Sequence, residues 1–242
     1  MKKCLKNAVA FATIVAWMWV AATSSFAHYL WVQEEDGAYA VCRGIVGERL
    51  DPYNPSCVTQ VSAQSSDGTG LSITRTNEKE RVVFTTNEIP AILSVTSEWG
   101  DRVNTTRGKK LMNRQAAEAA GLTVVSAFTS THFSKTLFAP SEISSQSLGL
   151  RFELVPLTDP MTLAPGTPTS FKLLFDGCPL AGIAILTNLE RESKTDSNGV
   201  AQFTFEKSGR HLLYATHQIP AEKGSGHDFL RFMTFLTFEV KQ

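Results

Sequence analysis

The sequence predicts an all-β protein of two β-sandwich domains, immunoglobulin- or prealbumin-like, with one short helix in a connection and a cleaved signal peptide ahead of them. Three observations predict it. Apolar residues alternate with a period of two: Ala201, Phe203 and Phe205 share one face of their segment, and Leu230, Phe232, Leu236, Phe238 and Val240 share one face of the last. Turn clusters, Asp67-Gly68-Thr69-Gly70 and Asp196-Ser197-Asn198-Gly199, punctuate the strands as in hairpin-rich antiparallel sheets. Helix chemistry is confined to a single stretch.

In chain order, Lys2, Lys3 and Lys6 precede a 13-residue apolar run from Ala8 to Val20, followed by small residues up to Ala27. This is the pattern of a secretory signal cleaved after Ala27, and the run is shorter than the roughly 20 residues that span a bilayer. The mature chain is expected to be periplasmic or secreted, with no membrane span. An N-terminal β domain, residues 28–140, then includes strands at Val58–Gln64 and Leu71–Arg75 on either side of the Asp67 turn. Asn113 to Ala120, closed by Gly121, combines good helix formers with a C-terminal glycine. The serine-rich stretch from Ala139 to Leu148 has linker composition and puts the boundary at 141–150. The C-terminal sandwich, 151–242, carries strands at Arg151–Leu157, Phe171–Phe175, Ile183–Leu186, Val200–Phe205 and Arg210–His217 before the last segment.

With residues 1–27 removed, 20 Lys and Arg face 23 Asp and Glu, a net charge of −3. No basic cluster interleaved with aromatics marks a nucleic-acid partner, and the short run Arg107-Gly108-Lys109-Lys110 has the composition of a solvated loop. Cys4 falls in the signal; an oxidising destination allows Cys42 to pair with Cys57, and Cys178 is expected as a buried small hydrophobe. Neither a Gly-x-Ser-x-Gly elbow nor HExxH or CxxC spacing occurs, and the Gly-x-Gly pairs at Gly68 and Gly224 do not lead from strand to helix. A binding role, and not an enzyme, is expected.

The chemistry concentrates on His28, which cleavage makes the first residue. Its α-amine and imidazole then form a bidentate nitrogen chelate, suited to Ni, Co, Cu(II) or Zn. Further donors are required, and His217, His227 and His132 are the candidates. His217 ends a strand beside Pro220; His227 lies in Gly224-Ser225-Gly226-His227-Asp228, where Asp228 can orient its ring; His132 faces the same side as Ser134. His211 lies about 20 Å from His217 along a straight strand, too far to share an ion with it. Met112, Met161 and Met233 are scattered, unlike a soft Cu(I) site.

The mature start His28-Tyr29-Leu30-Trp31-Val32 resembles the opening of a secreted family of unknown function often described as a periplasmic component of cobalt or nickel uptake systems. Similar blocks are Asp51-Pro52-Tyr53-Asn54-Pro55, Phe133 to Leu137, Glu153 to Pro160, Leu174 to Gly182, and Ala215-Thr216-His217. Relatives often carry Gly-His where this chain has Gly44-Ile45. The resemblance implies an all-β secreted protein that binds a divalent ion, nickel or cobalt, and hands it to a membrane metal permease. Two other functions fit the residues: a sandwich module that binds a partner protein or glycan without metal, and a Cu(II) carrier of histidine-brace type.

Overall fold

The computed structural model describes residues 28–189 and 191–241. The expected signal segment, its cleavage after Ala27, and Cys4 lie outside the described residues. Strands β1 (Tyr29–Glu35) and β2 (Ala38–Ile45) form a hairpin whose turn, Asp36-Gly37, takes positive φ at both residues, 51° and 80°. Two positive values match the twist of the flanking strands. There follow β3 (Arg49–Leu50), β4 (Val58–Gln64), β5 (Ile73–Asn77), β6 (Val82–Thr86), β7 (Ile92–Thr105) and β8 (Gly108–Lys110). Helix α1 (Arg114–Ala119) begins where Asn113 accepts the Ala116 N–H and stops before Gly121, at φ 71°. Beyond it run β9 (Val124–Leu137), β10 (Phe152–Pro156), β11 (Pro168–Phe175), β12 (Cys178–Pro179) and β13 (Ala184–Thr187). The chain closes with β14 (Glu192–Lys194), β15 (Val200–Thr204), β16 (Gly209–Pro220) and β17 (Phe229–Val240).

These strands make three sheets. A first outer sheet has the order β1-β2-β6-β5, with β3 on β2; a second is β10-β11-β12, with β15 also on β11. The central sheet runs β14-β13-β16-β17-β9-β7-β4, with β8 on β7. Most pairs are antiparallel, as expected, but β17 lies parallel to β9, from Phe229 beside Phe128 to Thr237 beside Thr136. The Asp67-Gly68 turn closes only a single antiparallel bridge, Gln64 beside Gly70, and not a hairpin of two paired strands. It carries the chain from β4 in the central sheet to β5 in the outer one.

Alternation along the central strands assigns their faces. Leu93, Val95, Leu212, Met233 and Phe235 pack with Leu30, Trp31, Val41 and Phe84 of the first outer sheet. Ile92, Leu213, Ala215, Phe232, Leu236 and Phe238 pack with Phe152, Phe171, Leu173 and Phe203 on the other side. The two sandwiches thus share their middle layer. Strand β17, expected to be half-buried with one core side, is buried on both faces, because Met233 and Phe235 are apolar as well as Phe232 and Leu236. The segment expected as a linker holds a 3-10 turn at Glu142–Ser145, with Ile143 packed into the second core. In that core Lys135 Nζ donates to Glu153 Oε1 at 3.3 Å and to the Gln146 carbonyl at 2.8 Å. Glu153 also accepts the Leu148 N–H and the Ser147 hydroxyl.

The expectation for Cys178 is corrected, and the Cys42–Cys57 pairing that the sequence left open is not formed. Cys178 is exposed, at the tight turn between β11 and β12. Cys42 and Cys57 are free thiols: Cys42 is buried with Sγ on the Ala40 carbonyl, whereas Cys57 lies on the side of Arg43, the next residue along β2. Adjacent residues on a strand point to opposite faces, which separates the two sulfurs. Among the described residues no helix is long and apolar enough to cross a membrane.

Candidate functional site

The face of the central sheet that meets the first outer sheet also floors a cleft of about 750 Å³. Even-numbered residues of β9 and β16 and odd-numbered residues of β17 point that way, which brings Ser130, His132, Tyr214, Thr216, Arg231 and Met233 to its lining. The outer sheet contributes Arg43 from β2, and the loop after β3 contributes Pro52, Tyr53 and Asn54. That loop is pinned by the Tyr53 hydroxyl, which donates to the Val41 carbonyl at 2.7 Å and accepts the Val82 N–H at 3.0 Å.

A β-bulge in β7 aims a further side chain into the cleft. Between Glu98 and Asp101 the register against β9 slips by one residue, with Gly100 at φ 62°. Before the bulge Ser97 and Trp99 face the cleft side. Without the extra residue Arg102 would point away; with it Arg102 pairs opposite Phe128 and lines the cleft. Lys109 reaches the same lining from β8, opposite Asn104.

His28 enters at the start of β1, with Nδ1 2.5 Å from Asp51 Oδ2. Arg49 Nε donates to the other oxygen of that carboxylate at 2.8 Å, and the Asp51 N–H donates to the Arg43 carbonyl at 2.7 Å. Burial alone would raise the Asp51 carboxyl, but the hydrogen bonds and charges of His28 and Arg49 outweigh it and hold it below the usual carboxylate range. His132 is buried, its Nε2 3.0 Å from the Ser130 hydroxyl and its ring against Trp99 and Phe235. Burial, and then the positive charges of Arg231, Arg43 and Arg102, push its pKa well below that of a free imidazole, so it is neutral.

Of the four expected ligands, the structure brings His28 and His132 to one cleft. His217 pairs opposite Phe232 on the other face of the sheet, its ring on Phe175 and Phe152. His227 Nε2 lies 2.8 Å from Asp101 Oδ1, outside the cleft lining. Asp228, expected to orient His227, instead accepts from Arg114 and from the Ala127 N–H. Among the described residues no three His, Cys, Asp or Glu side chains group to hold a metal. Sequence reasoning missed Asp51 as His28's partner, although it heads a family-like block, and missed the cations of the cleft, which come from four separate strands.

No curated protein matches the chain. Among solved structures it is similar to the D0-D1 domain of intimin, at 14% identity over 87% of this chain and 97% of that one, with a TM-score of 0.22. Residues 25–219 match the family described as a domain of unknown function, DUF4198, and the chain belongs to that family.

Proposed function

We propose that this is an extracytoplasmic binding protein, with no catalytic step, that captures a divalent metal ion, nickel or cobalt, at a processed N-terminus and passes it to a membrane uptake system. The observation that carries the reading is the seat of His28, at the rim of a cleft with the Asp51 carboxylate on its Nδ1. Once the α-amine is free, amine and Nδ1 close a six-membered chelate ring on a borderline metal ion. The ion takes the place of the Nδ1 proton, leaving Asp51 beside it as an oxygen donor or counter-charge. His132 is a neutral imidazole in the same cleft and supplies a further nitrogen if Ser130 releases it. The resemblance of the mature start to a family associated with cobalt and nickel uptake supports the choice of metal. Because the amine must lose a proton, binding strengthens as pH rises through the amine's range.

Calorimetry with nickel chloride tests this on protein beginning at His28 and on protein with one glycine ahead of it. The glycine converts the His28 amine into an amide and moves the free amine one residue away, which breaks the six-membered ring. Nickel affinity is expected to fall at least tenfold; equal affinity for the two proteins refutes the chelate.

A further inference from the structure

Four cations, Arg43, Arg102, Lys109 and Arg231, line the same cleft, and no Asp or Glu lines it among the described residues. Among the described residues none of the four forms an ion pair, whereas elsewhere Arg49, Arg81, Arg114 and Arg151 each do. The two carboxylates whose charge reaches the group are otherwise engaged, Asp51 with His28 and Arg49, and Asp101 with His227.

The arginines are held in place by aromatic rings and neutral oxygens. Arg43 lies over the Trp99 ring at 4.8 Å and Arg231 over Phe128 at 4.6 Å. Arg231 Nε donates to the Ser130 hydroxyl, and Arg102 Nη1 to the Asp101 carbonyl. Such support fixes the guanidinium planes and leaves most of their N–H donors unused. Desolvation and then repulsion from neighbouring cations lower Arg231 and Lys109 from their usual pKa values, and desolvation, with Arg43 acting the same way against the pull of Cys57 and Asp101, lowers Arg102. A fold that keeps three half-buried guanidiniums together with an exposed ammonium beside them, and no carboxylate paired to any, is less stable for it. A cleft lined by one sign of charge concentrates ions of the other sign.

We infer that the cleft is a receptor site for a small organic polycarboxylate, its carboxylates held by Arg43, Arg102, Lys109 and Arg231. The size of the cleft, about 750 Å³, exceeds what a lone inorganic oxyanion fills, and Trp99, Tyr53, Leu111 and Met233 give it apolar wall for a carbon skeleton. Guanidinium forks match carboxylates in bidentate geometry. The inference does not depend on metal capture at His28. Where that capture holds, the polycarboxylate also offsets the repulsion that a bare dication meets from four positive charges, and the cargo then binds as a chelate.

The test is calorimetry with citrate, with the 1:1 nickel–citrate chelate, and with inorganic phosphate. It is run on metal-free wild-type protein and on the variants Arg102→Gln, Arg231→Gln and Lys109→Gln. Lys109 is exposed on a short hairpin, so its variant keeps the reading available if an arginine variant does not fold. Wild-type protein is expected to bind citrate more tightly than phosphate, with affinity falling as salt rises. Each variant is expected to weaken citrate binding about tenfold or more. Absence of citrate binding, equal binding by folded variants, or phosphate binding as tight as citrate overturns the proposal. Because the citrate measurement contains no metal and leaves His28 untouched, it stands or falls separately from the nickel test. The nickel–citrate titration separates the two sources: tighter binding than citrate marks the chelate as the cargo, and equal or weaker binding marks the free acid.

Discussion

His132 shows what a single side chain does in this cleft. Its imidazole is neutral because burial and three arginines disfavour its charged form, and His211 and His217 are lowered in the same direction by burial. In the unfolded chain these rings take up protons below about pH 6.5, whereas the folded protein refuses them. Stability is therefore full above that pH and is lost as pH falls towards the depressed folded values, by at most about 1.4 kcal/mol per pH unit for each ring. His132→Gln removes one of these terms. Between pH 7.5 and pH 5 its urea midpoint is expected to fall by less than that of the wild type, and an identical fall contradicts the cause assigned to His132. At this scale the sequence was partly informative. The start motif exposed His28, and parity placed His132 with Ser134. The same parity set His217 with Leu213 and Ala215, which are core residues, so its face was readable before its ligand role was considered. Arg43, Arg102 and Arg231 gave no signal because residues far apart in the chain form no basic run, and Lys109 lay in a short basic run with the composition of a solvated loop.

Among the elements, two glycines govern how the cleft is assembled, and they differ in kind. Gly44, at φ 143°, has the Arg49 carbonyl oxygen 2.0 Å from where a Cβ would stand, so the chain returning from β3 with Asp51 lies directly against it. Gly100, at φ 62°, has open space around that position. Gly44→Ala is expected to lower stability by about 2–3 kcal/mol, since only backbone movement relieves the overlap. Gly100→Ala carries only the strain of left-handed backbone, about 1 kcal/mol. Urea unfolding of both variants checks the ranking, and the reverse order would refute it. Alternation made most strands legible, and the run of good helix formers closed by Gly121 made the helix legible. The bulge was not, because an extra residue in β7 is defined only against its partner β9.

At the level of the whole molecule, the parallel pairing of β9 with β17 joins the two halves of the chain in one sheet, an arrangement invisible to local patterns. The visible clue was that both parities of β17 are apolar. In protein beginning at His28, which lacks Trp17 and Trp19, the tryptophans are Trp31 and Trp99 of the first core, so fluorescence reports that core alone while far-ultraviolet dichroism reports all three sheets. Denaturant transitions followed by the two signals are expected to coincide; an earlier fluorescence transition would show that the first core unfolds by itself. The buried Lys135–Glu153 pair acquires a second meaning from the order of synthesis. Until the C-terminal strand is made, β9 has an open edge, the kind of template on which chains join wrongly. Glu153 is made only 18 residues after Lys135, long before that strand, so the ammonium and its carboxylate are both present while the edge is open. An ammonium near the C-terminal end of a Ser- and Thr-rich strand, with its carboxylate close behind it in the chain, resists dry pairing with a stray neighbour until the last strand covers that edge.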